Sequence, residues 1–349
     1  MIFFSSISLQ DRVDFTKSLA IMLKSGITIN QALTELAEQS ESTRFKKVIF
    51  RVRTDIENGT PLSVAFGREE KIFGKIFVSL IKAGEESGTL QSNLQFLSDW
   101  LSRSADLNRE VSAATMYPKL VFGAAVLLGG SLAVFILPKL IPLFTSLKVE
   151  LPMITKMLLA ISLWVQSSWL LGIFLVFFLI VGVVLLNRIH RIRKIFHFIF
   201  IHLPFMGGML MNYQRALVSQ LFGTLLKSGL SLNDSASIVS GAVTNIYYQD
   251  SIKLIHDQLI KGTTLSLSMR HFGRLFPNMM ISVVSIGENS GSLVQSFEYL
   301  AEFYSKEVST QAKKLPTVIE PVLLVLIAVI VGFVALAIIM PIYELTGSL

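Results

Sequence analysis

An internal repeat with one constant spacing constrains the fold of this chain more than any other feature of its sequence. The segment Lys24–Gly26 recurs 203 residues later as Lys227–Gly229, and Gly84–Gly88 recurs at the same spacing as Gly287–Gly291. A fixed spacing without net insertion predicts two copies of one structural unit. The two copies cover roughly residues 12–138 and 215–341.

Long apolar runs place the chain in the membrane-protein class. Charged residues make up 16% of the chain and its mean hydropathy is +0.61, whereas soluble globular proteins contain about 25% charged residues. A helix needs about 20 mainly apolar residues to cross the hydrocarbon core of a bilayer. Three runs approach or exceed this length: Leu120–Leu137, Trp169–Leu186 and Val318–Met340.

Basic residues beside these runs predict the orientation, because Lys and Arg concentrate in cytoplasmic segments. Arg188, Arg191, Arg193 and Lys194 follow the second run, further Lys and Arg precede the first and third, and the tail after Met340 has none. We therefore expect a cytoplasmic N-terminus and an extracytoplasmic C-terminus. Two crossings between the polar segments then place both segments on the cytosolic side.

The predicted fold class is all-α, a polytopic membrane protein with two homologous cytosolic helical domains and three transmembrane helices. The domains are expected at 1–116 and 188–316, and the transmembrane helices at 117–138, 166–187 and 317–341. An extracytoplasmic loop at 139–165 and an extracytoplasmic tail at 342–349 complete this organisation.

Apolar residues at helical spacing predict the helices within each copy. The first helix is expected to end at Ser25–Gly26, because glycine readily adopts the left-handed conformation that ends many helices. Further helices are expected over Arg44–Glu57 and over Phe73–Ala83, the latter broken by Gly84–Gly88. From Thr89, one helix is expected to continue towards the membrane.

The paired glycine and acid motifs are candidates for partner contact. They comprise Gly84, Glu85 and Gly88 in the first copy and Gly287, Glu288 and Gly291 in the second. Three interpretations are open: a tight interhelical turn with helix caps, acidic contacts to a partner such as an ATPase, or a metal site. Since Glu86 is replaced by Asn289 in the second copy, the second acid is not required in both.

Eight residues at the apolar runs are candidates for hinge and packing roles: Tyr117, Pro118, Ala125, Gly129, Glu320, Pro321, Ala328 and Gly332. A proline inside a helix frees a backbone carbonyl and bends the helix, so Pro118 and Pro321 predict kinks at equivalent cytosolic entrances. The pairs of small residues let helices approach closely. An acid within a bilayer is costly, and Glu320 lies either at membrane depth or at the interface.

The sequence presents no recognisable catalytic, metal or cofactor site. Cysteine is absent, which excludes a thiol nucleophile and thiolate ligands. Lys24–Gly26 lacks the glycine spacing of a phosphate-binding loop, and His190, His197 and His202 share no single face. Residues 187–317 hold 13 Lys and Arg against 7 Asp and Glu, an excess that favours lipid-surface attraction over nucleic-acid binding.

Two alternative functions remain for a chain of this composition, a small membrane transporter and a membrane-tethered signalling protein. A transporter would need polar groups along the middle of its spans, whereas these interiors are apolar apart from Ser131. A signalling enzyme would need a catalytic constellation, and none is recognisable.

The motifs, in this order, resemble the type II secretion system F protein family, which includes the platform proteins of type IV pilus assembly. The resemblance rests on Leu23–Ile27, Ala83–Leu90 and Tyr117–Pro118, which have counterparts in the second copy ending in Glu320–Pro321. It covers nearly the whole chain.

This resemblance implies two cytosolic six-helix bundles on three spans of the bacterial inner membrane. It also implies a homo-oligomeric, non-enzymatic platform without cofactors. Its implied partners are a hexameric cytosolic assembly ATPase, pilin or pseudopilin subunits and other inner-membrane assembly proteins. The platform would transmit conformational work from the ATPase to subunit polymerisation.

Overall fold

A computed structural model describes residues 7–131 and 206–347, with four single helical residues between these ranges. All regular secondary structure in the described residues is α-helical, so the predicted all-α class is confirmed there. The loop predicted at 139–165 and nearly all of the transmembrane helix predicted at 166–187 lie outside the described residues, as do His190, His197 and His202.

The first repeat folds into six helices followed by a long seventh helix. In chain order these are α1 (Leu9–Lys24), α2 (Ile29–Gln39), α3 (Thr43–Glu57), α4 (Leu62–Arg68), α5 (Glu70–Phe73), α6 (Lys75–Ser87) and α7 (Leu90–Ser131). The helix predicted over Arg44–Glu57 is therefore confirmed as α3, which begins one residue earlier.

The second repeat has the same helix order, except that turns at 271–276 replace α5. Its helices are α8 (Met206–Lys227), α9 (Leu232–Ala242), α10 (Ile246–Ile260), α11 (Leu265–Arg270), α12 (Asn278–Ser290) and α13 (Leu293–Gly347). The pairs α2 and α9, α3 and α10, and α6 and α12 begin and end 203 residues apart. The sequence repeat is thus a structural repeat.

Glycine ends the first helix of each repeat, as predicted. Gly26 follows α1 with φ +82° and Gly229 follows α8 with φ +86°, a region that side-chain-bearing residues rarely occupy. The next helices are capped by equivalent hydroxyls, because Thr28 accepts from the backbone N–H of Gln31 and Ser231 accepts from that of Asp234. Local sequence therefore sets these helix boundaries.

The helix break predicted at Gly84–Gly88 is wrong in its position. Helix α6 continues through Gly84 to Ser87 and ends at Gly88, which has φ +69°. Phe73 belongs to α5, and Gly74 with φ +91° separates α5 from α6. A single glycine within a helix keeps the helical hydrogen bonds, so it is tolerated where packing requires a missing side chain.

Equivalent positions build both bundle cores with different side chains. The first core is a cluster of five phenylalanines with neighbouring ring centroids 4.7 to 6.2 Å apart: Phe15, Phe45, Phe66, Phe73 and Phe77. The equivalent residues of the second core are also buried: Val218, Tyr248, Met269, Phe276 and Met280. Large apolar side chains thus occupy most of these positions, which preserves the fold despite substitution.

The contacts of the chain divide it into two units. Met1–Glu110 and His197–Thr310 form the unit that holds both bundles, and Val111–Phe196 and Gln311–Leu349 form the other. Helix α7 has 42 residues and α13 has 55, which confirms one continuous helix from Leu90 through the start of the first apolar run. Within the part of the chain described, α7 is the helix long and apolar enough to cross a membrane.

Candidate functional site

Glu85 caps a helix that begins 23 residues earlier in the chain. Its carboxylate accepts hydrogen bonds from the backbone N–H of Leu62 at 2.7 Å, the backbone N–H of Ser63 at 3.1 Å and the Ser63 hydroxyl at 2.5 Å. Pro61, which precedes α4, provides no side-chain cap. Glu85 therefore supplies the negative charge and the acceptors that the first turn of α4 requires.

Glu288 makes the same three contacts in the second repeat. Its carboxylate accepts from the backbone N–H of Leu265 at 2.6 Å, the backbone N–H of Ser266 at 3.1 Å and the Ser266 hydroxyl at 2.7 Å. The two acids thus tie α6 to α4 and α12 to α11. Their role as partner contacts stays a prediction, and the geometry favours the helix-cap interpretation.

The first glycine of each motif allows the next long helix to approach closely. A Cβ atom on Gly84 would lie 2.7 Å from the Cα of Leu90 and 3.1 Å from its backbone nitrogen. A Cβ atom on Gly287 would lie 2.8 Å from the Cβ of Ser296 and 3.1 Å from the Ser292 carbonyl oxygen. These glycines fix the start of α7 against α6 and of α13 against α12.

The last glycine of each motif forms the helix end. Gly88 and Gly291 both have φ +69°, and the Ser292 N–H donates to the Gly287 carbonyl oxygen at 2.8 Å. The serines of the motif donate back into their own helices, Ser87 to the Ala83 carbonyl at 2.6 Å and Ser290 to that of Ile286 at 2.8 Å. The serines and the first acid of each motif therefore make contacts within their own repeat.

Two opposing effects act on the Glu85 carboxyl. Partial burial raises its pKa, whereas the hydrogen bonds from Ser63 and Leu62 lower it, and the net result is a pKa below the ordinary value of 4.5. The folded state therefore favours the ionised form. A carboxyl with a lowered pKa stabilises the fold above its unfolded-state pKa and loses this contribution as the pH falls through the folded-state value.

We expect Glu85→Gln to lower the free energy of unfolding by about 1 kcal/mol at neutral pH, because charge-assisted hydrogen bonds to two N–H groups are lost. The difference from wild type should shrink as the pH falls below 4.5. Thermal unfolding of the full chain in detergent between neutral and acidic pH measures this difference. Glu86→Gln is the matched control, since exposed Glu86 forms only an i,i+4 pair with Lys82 at 3.7 Å. Equal effects of both variants at every pH would contradict the capping role.

Each bundle contains one arginine that contacts a backbone carbonyl about 60 residues away, and sequence reasoning missed both. The Arg12 guanidinium donates to the Ile72 carbonyl at 3.2 Å, while Arg215, 203 residues later, donates to the Leu275 carbonyl at 2.8 Å. Arg215 also donates to the Arg274 carbonyl at 3.0 Å. The repeat spacing of these two arginines was visible in the sequence. Nothing in the sequence indicated which distant carbonyls they contact.

The two bundles meet along a seam to which they contribute different faces. Helix α6 lies beside α9, where the Lys75 Cδ is 3.5 Å from the Cβ position of Gly241. The Lys227 ammonium of α8 lies 5.4 Å from the centre of the Phe96 ring of α7 and pairs with Glu298 at 2.7 Å. This seam is a second feature that sequence reasoning missed.

The candidate hinge and packing residues lie inside the two long helices. Both α7 and α13 continue past their prolines, Pro118 and Pro321, and bending at these prolines stays a prediction. Among the other candidates, Ala125 is buried, Gly129 and Gly332 are half-buried, and Tyr117, Glu320 and Ala328 are exposed. Their roles at or within a membrane remain predictions.

No group of three or more His, Asp or Glu in residues 7–131 and 206–347 is arranged to hold a metal ion.

Comparison with known proteins identifies the repeat. The family "Type II secretion system (T2SS), protein F" matches twice, at residues 15–138 and 218–341, and these matches are themselves 203 residues apart. They agree with the copies derived from the sequence and with the helix pairs of the structure.

Individual relatives match the chain over nearly its full length. The type IV pilus assembly protein PilC of Thermus thermophilus is 30% identical, over 98% of this chain and 84% of the relative. PilC of Pseudomonas aeruginosa is 27% identical, over 95% and 88%, and the type II secretion system protein F of Xanthomonas campestris is 28% identical, over 97% and 83%. The repeated glycine and acid motif, the matched helix order and this coverage lead to one conclusion. The chain belongs to the type II secretion system protein F family.

Proposed function

We propose that this protein is a non-enzymatic platform of the bacterial inner membrane. It couples a cytosolic assembly ATPase to the polymerisation of pilin or pseudopilin subunits in a type IV pilus or type II secretion machine. The observation that carries the proposal is the pair of family matches within a chain whose relatives are named for pilus assembly and type II secretion. The protein assembles as a homo-oligomer with other inner-membrane assembly proteins.

Three transmembrane helices hold the platform in this proposal, with the N-terminus in the cytoplasm and the C-terminus outside. The apolar character of α7 supports the first of these spans. The basic residues beside the three apolar runs support the orientation. Both bundles then face the cytosolic ATPase.

Mechanical continuity is the second part of the proposal. The motif places the start of each long helix directly against the preceding helix, at Gly84 and at Gly287. The same motif ties that preceding helix to the bundle through Glu85 and Glu288. A force applied to a bundle is thereby transmitted to α7 or α13, with Pro118 and Pro321 as the proposed hinges.

A pull-down tests this function directly. The full chain, tagged at its N-terminus, is expressed at native level, extracted in mild detergent and purified, and the co-purifying proteins are identified by mass spectrometry. We expect a hexameric assembly ATPase together with pilin-like subunits, whose identity distinguishes a pilus from a secretion machine. Their absence from preparations in which tagged and untagged copies still co-purify would refute the coupling role.

A matched pair of variants tests whether the motif acts through the fold of the bundle. Glu85→Ala with Glu288→Ala removes both caps, whereas Glu86→Ala with Asn289→Ala changes the exposed neighbours at equivalent positions. The first pair should reduce ATPase recovery and the second should preserve it, because only the first loosens the helix contacts. Equal recovery with both pairs would remove the motif from the proposed mechanism.

A further inference from the structure

The seam between the two bundles is asymmetric, although the bundles share one fold. The first repeat contributes the outer face of α7, including Phe96 and Trp100, which lines a groove together with Gln220 and Thr224 of α8. The second repeat contributes α8, with Lys227 lying over the Phe96 ring at 5.4 Å. The contact is therefore heterologous, because the first repeat contributes its α7 face and the second repeat contributes its α8 face.

The counterparts of both faces are more exposed. Tyr299 and Phe303 of α13 occupy the positions of Phe96 and Trp100, and their side chains are 52% and 37% exposed. On α1, Ile21 and Lys24 occupy the positions of Thr224 and Lys227, and Ile21 is 52% exposed.

Burial at further equivalent positions shows the same difference. Leu107 of α7 is 6% exposed, whereas its counterpart Thr310 is exposed. Gln220 of α8 is 7% exposed, whereas its counterpart Lys17 is exposed. The counterpart of each seam face is thus more exposed than the seam face itself. On α13, Tyr299 and Lys306 also line an open cleft that faces Leu107 of α7 in the same chain.

We propose that a second copy of this chain docks the Tyr299 face of its α13 onto the Ile21 face of α1, repeating the seam between the bundles. A heterologous contact leaves one complementary face free at each end, and further copies can add until a ring closes. The occupant is a second copy because the internal seam joins the structural counterparts of these two faces, with Lys227 over Phe96.

The side chains at the proposed interface are chemically suited to each other. By equivalence with Lys227 and Phe96, the Lys24 ammonium lies over the Tyr299 ring, a cation–π contact, and Ile21 packs against Phe303. Glu302 takes the place of Asp99 and supplies an acid near Lys24.

One position opposes this arrangement. Lys306 replaces Arg103, and Lys17 replaces the Gln220 that faces the same groove. Glu302, one helical turn before Lys306, lies close enough to offset part of their repulsion. We therefore expect the contact to be weaker than the internal seam.

The proposed contact specifies a surface for the homo-oligomer of the proposed function and depends on that part of it alone.

Cross-linking tests the contact. Because the chain has no cysteine, introduced thiols report contacts without background. We would co-express two full-length copies with different tags, one carrying Lys24→Cys and the other Tyr299→Cys, and treat membranes with a short bismaleimide. We expect a shift of most of the doubly purified protein to a covalent dimer, with no such shift when either variant is expressed alone.

Matched controls use other exposed positions and the internal seam. Ile260→Cys, at an exposed position of α10, replaces Lys24→Cys in the negative control and should give no dimer with Tyr299→Cys. Lys227→Cys with Phe96→Cys in one chain should cross-link within the monomer, which verifies the reagent and the internal seam.

Two outcomes would overturn the inference in distinguishable ways. If the tagged copies co-purify but Lys24→Cys with Tyr299→Cys gives no more dimer than Ile260→Cys with Tyr299→Cys, the oligomer exists and this surface is wrong. If the tagged copies do not co-purify from detergent extracts of native membranes, both the proposed surface and the proposed homo-oligomer are wrong. Recovery of the ATPase in the pull-down tests the proposed coupling to the ATPase independently of both outcomes.

Discussion

Replacing Gly84 by valine should lower the free energy of unfolding by about 3 kcal/mol, the upper range for overpacking a well-packed site. A Cβ atom there would lie 2.7 Å from the Cα of Leu90, which is backbone and cannot rotate away. The start of α7 must then shift away from α6. Thermal unfolding of the full chain in detergent measures the effect, and we expect weaker protease resistance of the first bundle.

Two matched substitutions make this prediction specific. Gly67→Ala, in α4 of the same bundle, meets only Val78 Cγ1 at 3.8 Å and should be neutral or slightly stabilising, because alanine favours helix over glycine. Gly287→Ala should cost about as much as Gly84→Ala, since the new Cβ would lie 2.8 Å from the Ser296 Cβ, which a rotamer change does not move. Equal stability of Gly84→Val and Gly67→Ala would show that α7 does not depend on this close approach.

Arg215→Ala should lower the free energy of unfolding by about 3 kcal/mol, because several hydrogen bonds from a charged donor are lost and the buried Asn212 side chain loses its donor. The guanidinium donates to the Leu275 and Arg274 carbonyls and to the Asn212 side-chain oxygen at 2.7 Å. It also lies 5.7 Å from the centre of the Tyr304 ring. Thermal unfolding in detergent, with protease mapping of the second bundle, measures the loss.

The first repeat supplies the internal comparison for this arginine. Arg12 donates to the Ile72 carbonyl, and burial lowers its pKa, so Arg12→Ala should cost roughly half as much as Arg215→Ala. Arg215→Lys should recover only part of the stability, because an ammonium cannot reproduce the planar fork of donors. Exposed Arg270→Ala should change little. If Arg270→Ala and Arg215→Ala destabilised the chain equally, the carbonyl contacts would not account for the effect.

These arginines and the motif acids stabilise opposite ends of the same short helical segment. Glu85 contacts the start of α4, whereas Arg12 reaches Ile72 in α5, which closely follows α4. Both residue types recur at a spacing of 203. The repeated unit is therefore defined by its polar contacts as much as by its core.

The sequence predicted the motif residues and offered helix capping as one of their uses, but it did not predict which helices they cap. Gly84, Glu85 and Gly88 stand out in the sequence because they recur together. The distance of 23 residues between Glu85 and Leu62 exceeds any local capping pattern, so no helix or turn rule could pair them. The same holds for Arg12 and Ile72, which are 60 residues apart.

The break predicted at Gly84 shows why local signals can mislead. Glycine ends helices when its left-handed conformation is used, as at Gly26 and Gly88. It also occurs inside helices where a neighbour leaves no room for a side chain, as at Gly84. The residue type is the same in both cases, and only the position of α7 distinguishes them.

The sequence by itself determined the repeat, the all-helical class and several helix boundaries, because these depend on local propensity, apolar periodicity and a spacing that can be counted. The tertiary structure alone decided that Glu85 and Glu288 cap distant helices, that Arg12 and Arg215 hold distant carbonyls, and that the bundles join through unlike faces. Such contacts join residues far apart in the chain, and their geometry exists only once the helices have packed.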